Sequence, residues 1–93
     1  DNVVYFYIPG YEEVPLDIPA KQVVFSKLLE ELKKKKGNSM LLIPIAVNLD
    51  ISSINLMLDT YNISRQDLPL VLINEKTKIT EVQKIEQIEQ YLK

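Results

Sequence analysis

The sequence contains neither cysteine nor histidine, and these two absences exclude more chemistry than any residue present suggests. Without a thiol there is no disulfide, no cysteine nucleophile and no thiolate ligand for zinc. Without an imidazole, a serine hydroxyl lacks its usual general base, and no side chain titrates near neutral pH in its unperturbed form. We therefore expect no enzymatic activity, no cofactor and no metal site in this segment.

Glycine, excess positive charge and long apolar stretches are also scarce. Two glycines are too few for a glycine-rich loop that cradles phosphate. A formal net charge of −2 gives no overall attraction to nucleic acid or to anionic lipid. No apolar stretch approaches the roughly 18–20 residues that a membrane-spanning helix needs. We therefore expect neither a nucleic-acid partner nor direct membrane insertion.

What is present is ordinary globular composition, with 46% hydrophobic and 26% charged residues in 93 positions. That length suits a single domain spanning residues 1–93. Because the chain begins at Asp1 without a methionine, we expect it to be a module of a longer protein. The compartment and the oligomeric state do not follow from these data.

Apolar runs predict four strands, at residues 3–8, 40–49, 70–74 and 77–80. The first, VVYFYI, is apolar without interruption, which is typical of a strand that is covered on both faces. Alternation along it sends Tyr5 and Tyr7 to one face and Phe6 to the other. In the second run, Pro44 cannot donate a backbone hydrogen bond and therefore marks a bulge or an unpaired edge position.

Apolar residues at helical spacing predict three helices, over about 20–36, 50–61 and 80–92. The first ends in four lysines followed by Gly37, as favoured at a helix C-terminus. Asp50 or Ser52 is the expected cap of the second helix, and Thr80 with Gln83 forms a capping box for the third. The expected inward-facing residues are Val24, Leu28, Leu29 and Leu32 in the first helix, Ile54, Met57, Leu58 and Tyr61 in the second, and Val82, Ile85, Ile88 and Leu92 in the third.

The predicted order is therefore β-α-β-α-β-β-α. A strand, a crossover helix and a second buried strand form a right-handed parallel unit. The last two strands form an antiparallel hairpin, and the final helix covers the sheet. We expect an α/β fold, specifically a three-layer α/β/α sandwich with a mixed four-stranded sheet.

Three parts of the chain resemble the thioredoxin-like superfamily. They are VVYFYIPG at residues 3–10, the proline at position 19, and YNI at 61–63 followed by LPLVLI at 68–73. Their order and spacing resemble the first core strand, the kink in the following helix, and the segment before the next core strand of that family. The resemblance implies a thioredoxin-like fold and a cis peptide bond before Pro69.

The same resemblance places residues 11–14, YEEV, where the family carries its CxxC redox motif. Since both cysteines are missing, the resemblance implies a redox-inactive member that uses this face to bind a protein or a peptide. The candidate binding surface consists of Tyr11, Glu12, Glu13, Val14, Leu68 and Pro69. In redox members of the family, the loop around the cis proline presents backbone groups to an extended substrate, which needs no thiol.

Several alternatives stay open at this point. The 11–14 segment can be a plain connection between a strand and a helix. Its acids, with Asp17, are more typical of solvated groups near a helix N-terminus than of a calcium site or an acid–base pair. The lysines at 33–36 are typical of a solvated helix end. For the longer protein, the alternatives are a thiol oxidoreductase whose cysteines lie outside this segment and an extracytoplasmic structural domain of a membrane-attached protein.

Overall fold

The computed structural model describes residues 1–10 and 13–93, and its elements follow the predicted order. The strands are β1 (Asn2–Tyr7), β2 (Leu41–Ala46), β3 (Leu70–Ile73) and β4 (Thr77–Ile79). The helices are α1 (Asp17–Lys36), α2 (Ser52–Thr60) and α3 (Glu86–Glu89), with short 3₁₀ turns at Gly37–Ser39 and Arg65–Asp67.

The described residues form one mixed sheet with the strand order β2-β1-β3-β4. β1 is parallel to β2, in register from Asn2 opposite Leu41 to Tyr7 opposite Ala46. β3 runs antiparallel to both β1 and β4. The parallel pair is joined by α1, and the hairpin of β3 and β4 follows, as the sequence predicts. Pro44 lies on β2, which is an edge strand, so the prediction of an edge position is confirmed.

Two clusters of buried side chains lie on the two faces of this sheet. The first contains Tyr5 together with residues of α1 and α3, and Tyr7 packs against it. The second contains Phe6 together with Leu58 of α2. The alternation expected along β1 is therefore confirmed. Helices cover both faces, which gives a mixed α/β fold in three layers.

The face that α1 buries differs by one residue from the prediction at its N-terminal half. Phe25 is buried, whereas Val24 is 42% exposed. The Phe25 ring stacks on Tyr5, with ring centroids 5.8 Å apart, and this contact fixes the rotation of the helix. The C-terminal half agrees with the prediction, because Leu29 and Leu32 are buried.

The last helix is much shorter than predicted, and the capping box at Thr80 and Gln83 is wrong. α3 spans only Glu86–Glu89. The side chain of Gln87 reaches back, and its Oε1 accepts hydrogen bonds from the backbone N–H groups of Gln83 (2.6 Å) and Lys84 (2.9 Å). Residues 80–85 are therefore irregular instead of helical, yet Val82 and Ile88 are buried as expected.

The start of α2 also differs from the prediction. Ile51 is the N-cap residue, so neither Asp50 nor Ser52 fills that position. The approach to the helix is held instead by two amide side chains. Asn48 Oδ1 accepts from the backbone N–H of Asp50 (3.0 Å), and Asn55 Nδ2 donates to the Leu49 carbonyl (2.6 Å).

Candidate functional site

The structure brings part of the predicted binding surface together. Glu13 and Val14, which precede α1, line a depression together with Leu68, which precedes β3. The depression has a volume of about 460 Å³. Tyr11 and Glu12 lie outside the described residues. Pro69 is buried next to Leu68 and does not line the depression.

The floor of the depression is apolar and belongs to the core on the α2 side of the sheet. Ile8 and Leu68 are 5% and 2% exposed, and they pack in that core with Val14 and Ile18 at their side. Ile8 directly follows β1, and Ile18 lies in the first turn of α1. The depression therefore lies where the central strand ends and the first helix begins.

Local hydrogen bonds fix the two segments that form this depression. On one side, the backbone N–H of Ile18 donates to the Pro15 carbonyl (3.0 Å). On the other side, Ser64 and Asp67 form a capping box around the 3₁₀ turn at Arg65–Asp67. The Leu68–Pro69 peptide bond that follows is cis, as the resemblance implies.

Charged groups of opposite sign lie at the rim of the depression. Glu13 is exposed, and Arg65 is half-buried. Across residues 1–10 and 13–93, no group of three or more acidic side chains is placed to hold a metal ion.

Among the described residues, Leu16 is the most exposed large apolar side chain near the depression. It is 93% exposed and occupies the N-cap position of α1, between Pro15 and Ile18, two residues that line the depression. The binding surface predicted from the sequence ends at Val14 in this segment and does not include Leu16. A leucine between a proline and an acidic residue, in a segment with few other apolar residues, could have indicated an exposed apolar side chain.

A second and larger surface, which the sequence analysis missed, lies on the other face of the sheet. It is a groove of about 870 Å³ between α1 and β2. Its floor is formed by Tyr5, Tyr7, Leu42 and Pro44, and Val23 of α1 lies along its wall and is 53% exposed. The interpretation of Pro44 as an edge residue was the signal that pointed toward it.

Within the part of the chain that the structure describes, the pKa values of three side chains are shifted, by burial at the groove floor and by an ion pair at the C-terminal end of α1. Burial raises the pKa of the Tyr5 hydroxyl, and the Ser26 side chain opposes this rise. At the other end of α1, the Lys35 ammonium and the Glu89 carboxylate bond to each other, which raises the pKa of Lys35 and lowers that of Glu89. The ion pair between Lys35 and Glu89 joins α1 to α3 and lies away from both surfaces.

No protein-family model, curated protein or solved structure matches this chain. In the described part of the chain, no helix has the length and hydropathy that crossing a bilayer requires.

Proposed function

We propose that this chain is a non-catalytic, redox-inactive module of thioredoxin-like architecture that binds an extended segment of a protein partner at the depression. One observation carries the proposal. Glu13 and Val14 meet Leu68 from a distant part of the sequence, and together they form an apolar depression beside the exposed Leu16.

Three features of the fold support the thioredoxin-like part of this proposal. The central strand β1 lies between a parallel and an antiparallel neighbour. Helices lie on both faces of the sheet. The cis bond before Pro69 stands directly before β3, where the resemblance implies it. Glu13 and Val14, which belong to the segment that resembles the redox loop, line one depression with Leu68, which belongs to the segment that resembles the proline loop.

The chemistry of the depression favours binding over reaction. A chain without cysteine has no thiolate to attack a disulfide, so a partner held here is contacted and released rather than oxidised or reduced. Covering an exposed leucine side chain contributes about 1.5–3 kcal/mol. Leu16 and the floor residue Val14 are therefore the expected anchors.

Site-specific photocrosslinking tests this function. The variant Leu16→benzoylphenylalanine is irradiated in extract of the source cells, and adducts are identified by mass spectrometry. The matched control is Leu56→benzoylphenylalanine, because Leu56 is 68% exposed on α2 and lines neither surface. We expect an adduct at position 16 that is missing at position 56.

A second substitution in the crosslinking chain links the adduct to the depression. Val14→Asp places a charge on the apolar floor and is expected to abolish the adduct. Val24→Asp, on the 42% exposed position of α1, is expected to leave it unchanged. Each variant is first shown to unfold cooperatively in urea. Adducts that are the same at positions 16 and 56, or that survive Val14→Asp, would contradict the proposed function.

A further inference from the structure

β2 is an edge strand with little of the protection that such strands carry. In natural proteins, charged side chains, proline, bulges or short length keep edge strands from pairing with a further strand. The segment LLIPIA has no charged residue, and it pairs with β1 residue for residue over its full length of six. Leu41 is 55% exposed and Ile43 is 37% exposed. Within β2, Pro44 is the one residue that opposes pairing with a further strand.

The backbone groups that face away from β1 follow from two hydrogen bonds at the ends of the strand. The N–H of Leu41 donates to the Asp1 carbonyl (2.8 Å), and the N–H of Val47 donates to the Tyr7 carbonyl (2.8 Å). Odd-numbered residues therefore bond toward β1, and alternation turns the backbone of Leu42, Pro44 and Ala46 outward. Leu42 and Ala46 each present an N–H and a C=O, whereas Pro44 presents only a C=O.

The groove between α1 and β2 lies directly beside these outward groups. Its floor includes Leu42 and Pro44, and its far wall includes Val23. A strand added to β2 would project every second side chain toward this face of the sheet. The volume of about 870 Å³ accommodates large apolar side chains at those positions.

The charges along the groove indicate what else the added strand should carry. Lys27, Lys33 and Lys34 line the groove, against the single acidic residue Glu30. Glu30 is paired with Lys34 at 3.4 Å. In residues 1–10 and 13–93, Lys27 has no ion-pair partner. A carboxylate on the added strand would complement this excess of positive charge.

Pro44 distinguishes a different polypeptide from a second copy of this chain as the occupant. If two β2 strands paired with each other, each would place a proline on the shared edge, and two backbone donors would be lost. A strand of another protein meets only one proline and loses one donor. The edge is therefore better matched to a foreign strand than to itself.

We propose that the β2 edge binds an extended segment of another protein by strand addition. The segment hydrogen-bonds to Leu42 and Ala46, directs alternating apolar side chains into the groove, and faces Lys27 with a carboxylate. The groove shares no lining residue with the depression, so strand addition at β2 can be tested independently of the proposed function.

Backbone amide exchange measured by NMR tests the proposal with a defined probe. The probe is the synthetic peptide acetyl-Ser-Val-Ser-Ile-Ser-Asp-Ser-amide, which places valine, isoleucine and aspartate on one face of a strand. A peptide of the same composition in non-alternating order is the control. With the probe at about 1 mM, we expect exchange at Leu42 and Ala46 to slow at least about fivefold, as for amides that enter a hydrogen bond. Ile43 and Ile45, which bond toward β1, should not change.

Two variants on the outward side of β2 sharpen the test. Ala46→Pro removes an outward N–H without touching the β1 ladder and is expected to weaken probe binding at least about fivefold, because one hydrogen bond is lost. Pro44→Ala supplies a third outward N–H and is expected to tighten binding about two- to tenfold. A probe with lysine in place of aspartate is expected to bind more weakly. The amide spectrum of each variant without peptide verifies its fold.

Three results would overturn the proposal. The first is unchanged exchange at Leu42 and Ala46 with the probe, or equal protection by the non-alternating control peptide. The second is probe binding by Ala46→Pro that equals that of the unsubstituted chain. The third is a concentration-dependent dimer, seen by sedimentation without peptide, that protects the same two amides, because the occupant is then a second copy.

Discussion

The side-chain amide of Gln22 makes two hydrogen bonds to the backbone of Ile8. Its Oε1 accepts from the Ile8 N–H (2.6 Å), and its Nε2 donates to the Ile8 carbonyl (3.2 Å). Ile8 has just left β1, so no neighbouring strand satisfies these groups in the way a sheet would. Because Gln22 lines the groove and Ile8 lines the depression, this amide links the two candidate surfaces.

Replacing this amide tests its contribution to stability. Gln22→Leu keeps the bulk of the side chain but leaves the N–H and C=O of Ile8 without partners in a partly buried place. We expect the free energy of unfolding to fall by about 1–3 kcal/mol. Urea denaturation measures the loss. The control Gln83→Leu, at an exposed glutamine, should change stability by less than about 0.5 kcal/mol. Equal effects of the two substitutions would contradict this role of Gln22.

The central position of β3 predicts a large cost for a cavity within it. Leu72 is 1% exposed, pairs with Val4 and Lys78 on its two sides, and belongs to the core on the α2 face. Leu72→Ala should lower the free energy of unfolding by about 2–5 kcal/mol. Leu56→Ala, at a 68% exposed position of α2, is the matched control and should be nearly neutral. A loss below about 1 kcal/mol for Leu72→Ala would show that this strand is not central.

The end of α1 depends on a backbone conformation that favours glycine. Gly37 has a φ of 56° and a ψ of −130°, and a Cβ added there would meet no atom within 4 Å. The cost of Gly37→Ala therefore comes from the backbone alone, and we expect it to be about 1–3 kcal/mol in thermal or urea unfolding. Gly10→Ala, which has equally open space and no positive φ, is the control and should cost much less. Similar costs at both positions would show that the positive φ of Gly37 is not what makes glycine necessary there.

The ion pair between α1 and α3 predicts a dependence of stability on pH. Glu89 bonds Lys35 (2.9 Å) and Lys36 (3.3 Å), and these bonds lower its pKa from the ordinary value of 4.5. A carboxyl whose pKa is lower in the folded state stabilises the fold above its unfolded pKa and loses that contribution as the pH falls through the folded one. The difference in stability between the unsubstituted chain and Glu89→Gln should therefore be present at pH 7 and shrink below pH 4.5.

Salt provides the control for that experiment. Glu89 and its two lysine partners are solvent-accessible. Screening should therefore reduce the difference in stability between the unsubstituted chain and Glu89→Gln at pH 7 when the ionic strength rises from about 0.01 M to 1 M. The measurement is urea unfolding of both chains at each condition. A difference that is independent of pH and salt would show that Glu89 acts through packing instead of charge.

The element order and the faces of β1 could be predicted because they depend on local patterns. The uninterrupted VVYFYI run occupies the centre of the sheet, and Tyr5 and Phe6 lie on opposite faces, as alternation requires. Pro44 could be placed at an edge because a residue without an N–H cannot occupy a paired position inside a sheet.

The predictions are wrong where the local sequence allows more than one arrangement and a contact with a distant residue selects among them. Val23, Val24 and Phe25 are all apolar, and the stacking of Phe25 on Tyr5 determines which of them is buried. In the last segment, the hydrogen bonds of Gln87 replace the predicted capping box. Pro44 indicates the edge position of β2, but the groove beside it could not be predicted, because it also depends on which residues α1 turns toward that edge.

The position of β1 between β2 and β3 has a consequence for synthesis on the ribosome. β1 is made before the other three strands, but its second edge is covered only when residues 70–73 have emerged. At about 5–20 residues per second, this edge stays open for a few seconds after β2 is complete. During that interval the nascent chain exposes one unpaired edge of a continuous aromatic and β-branched strand.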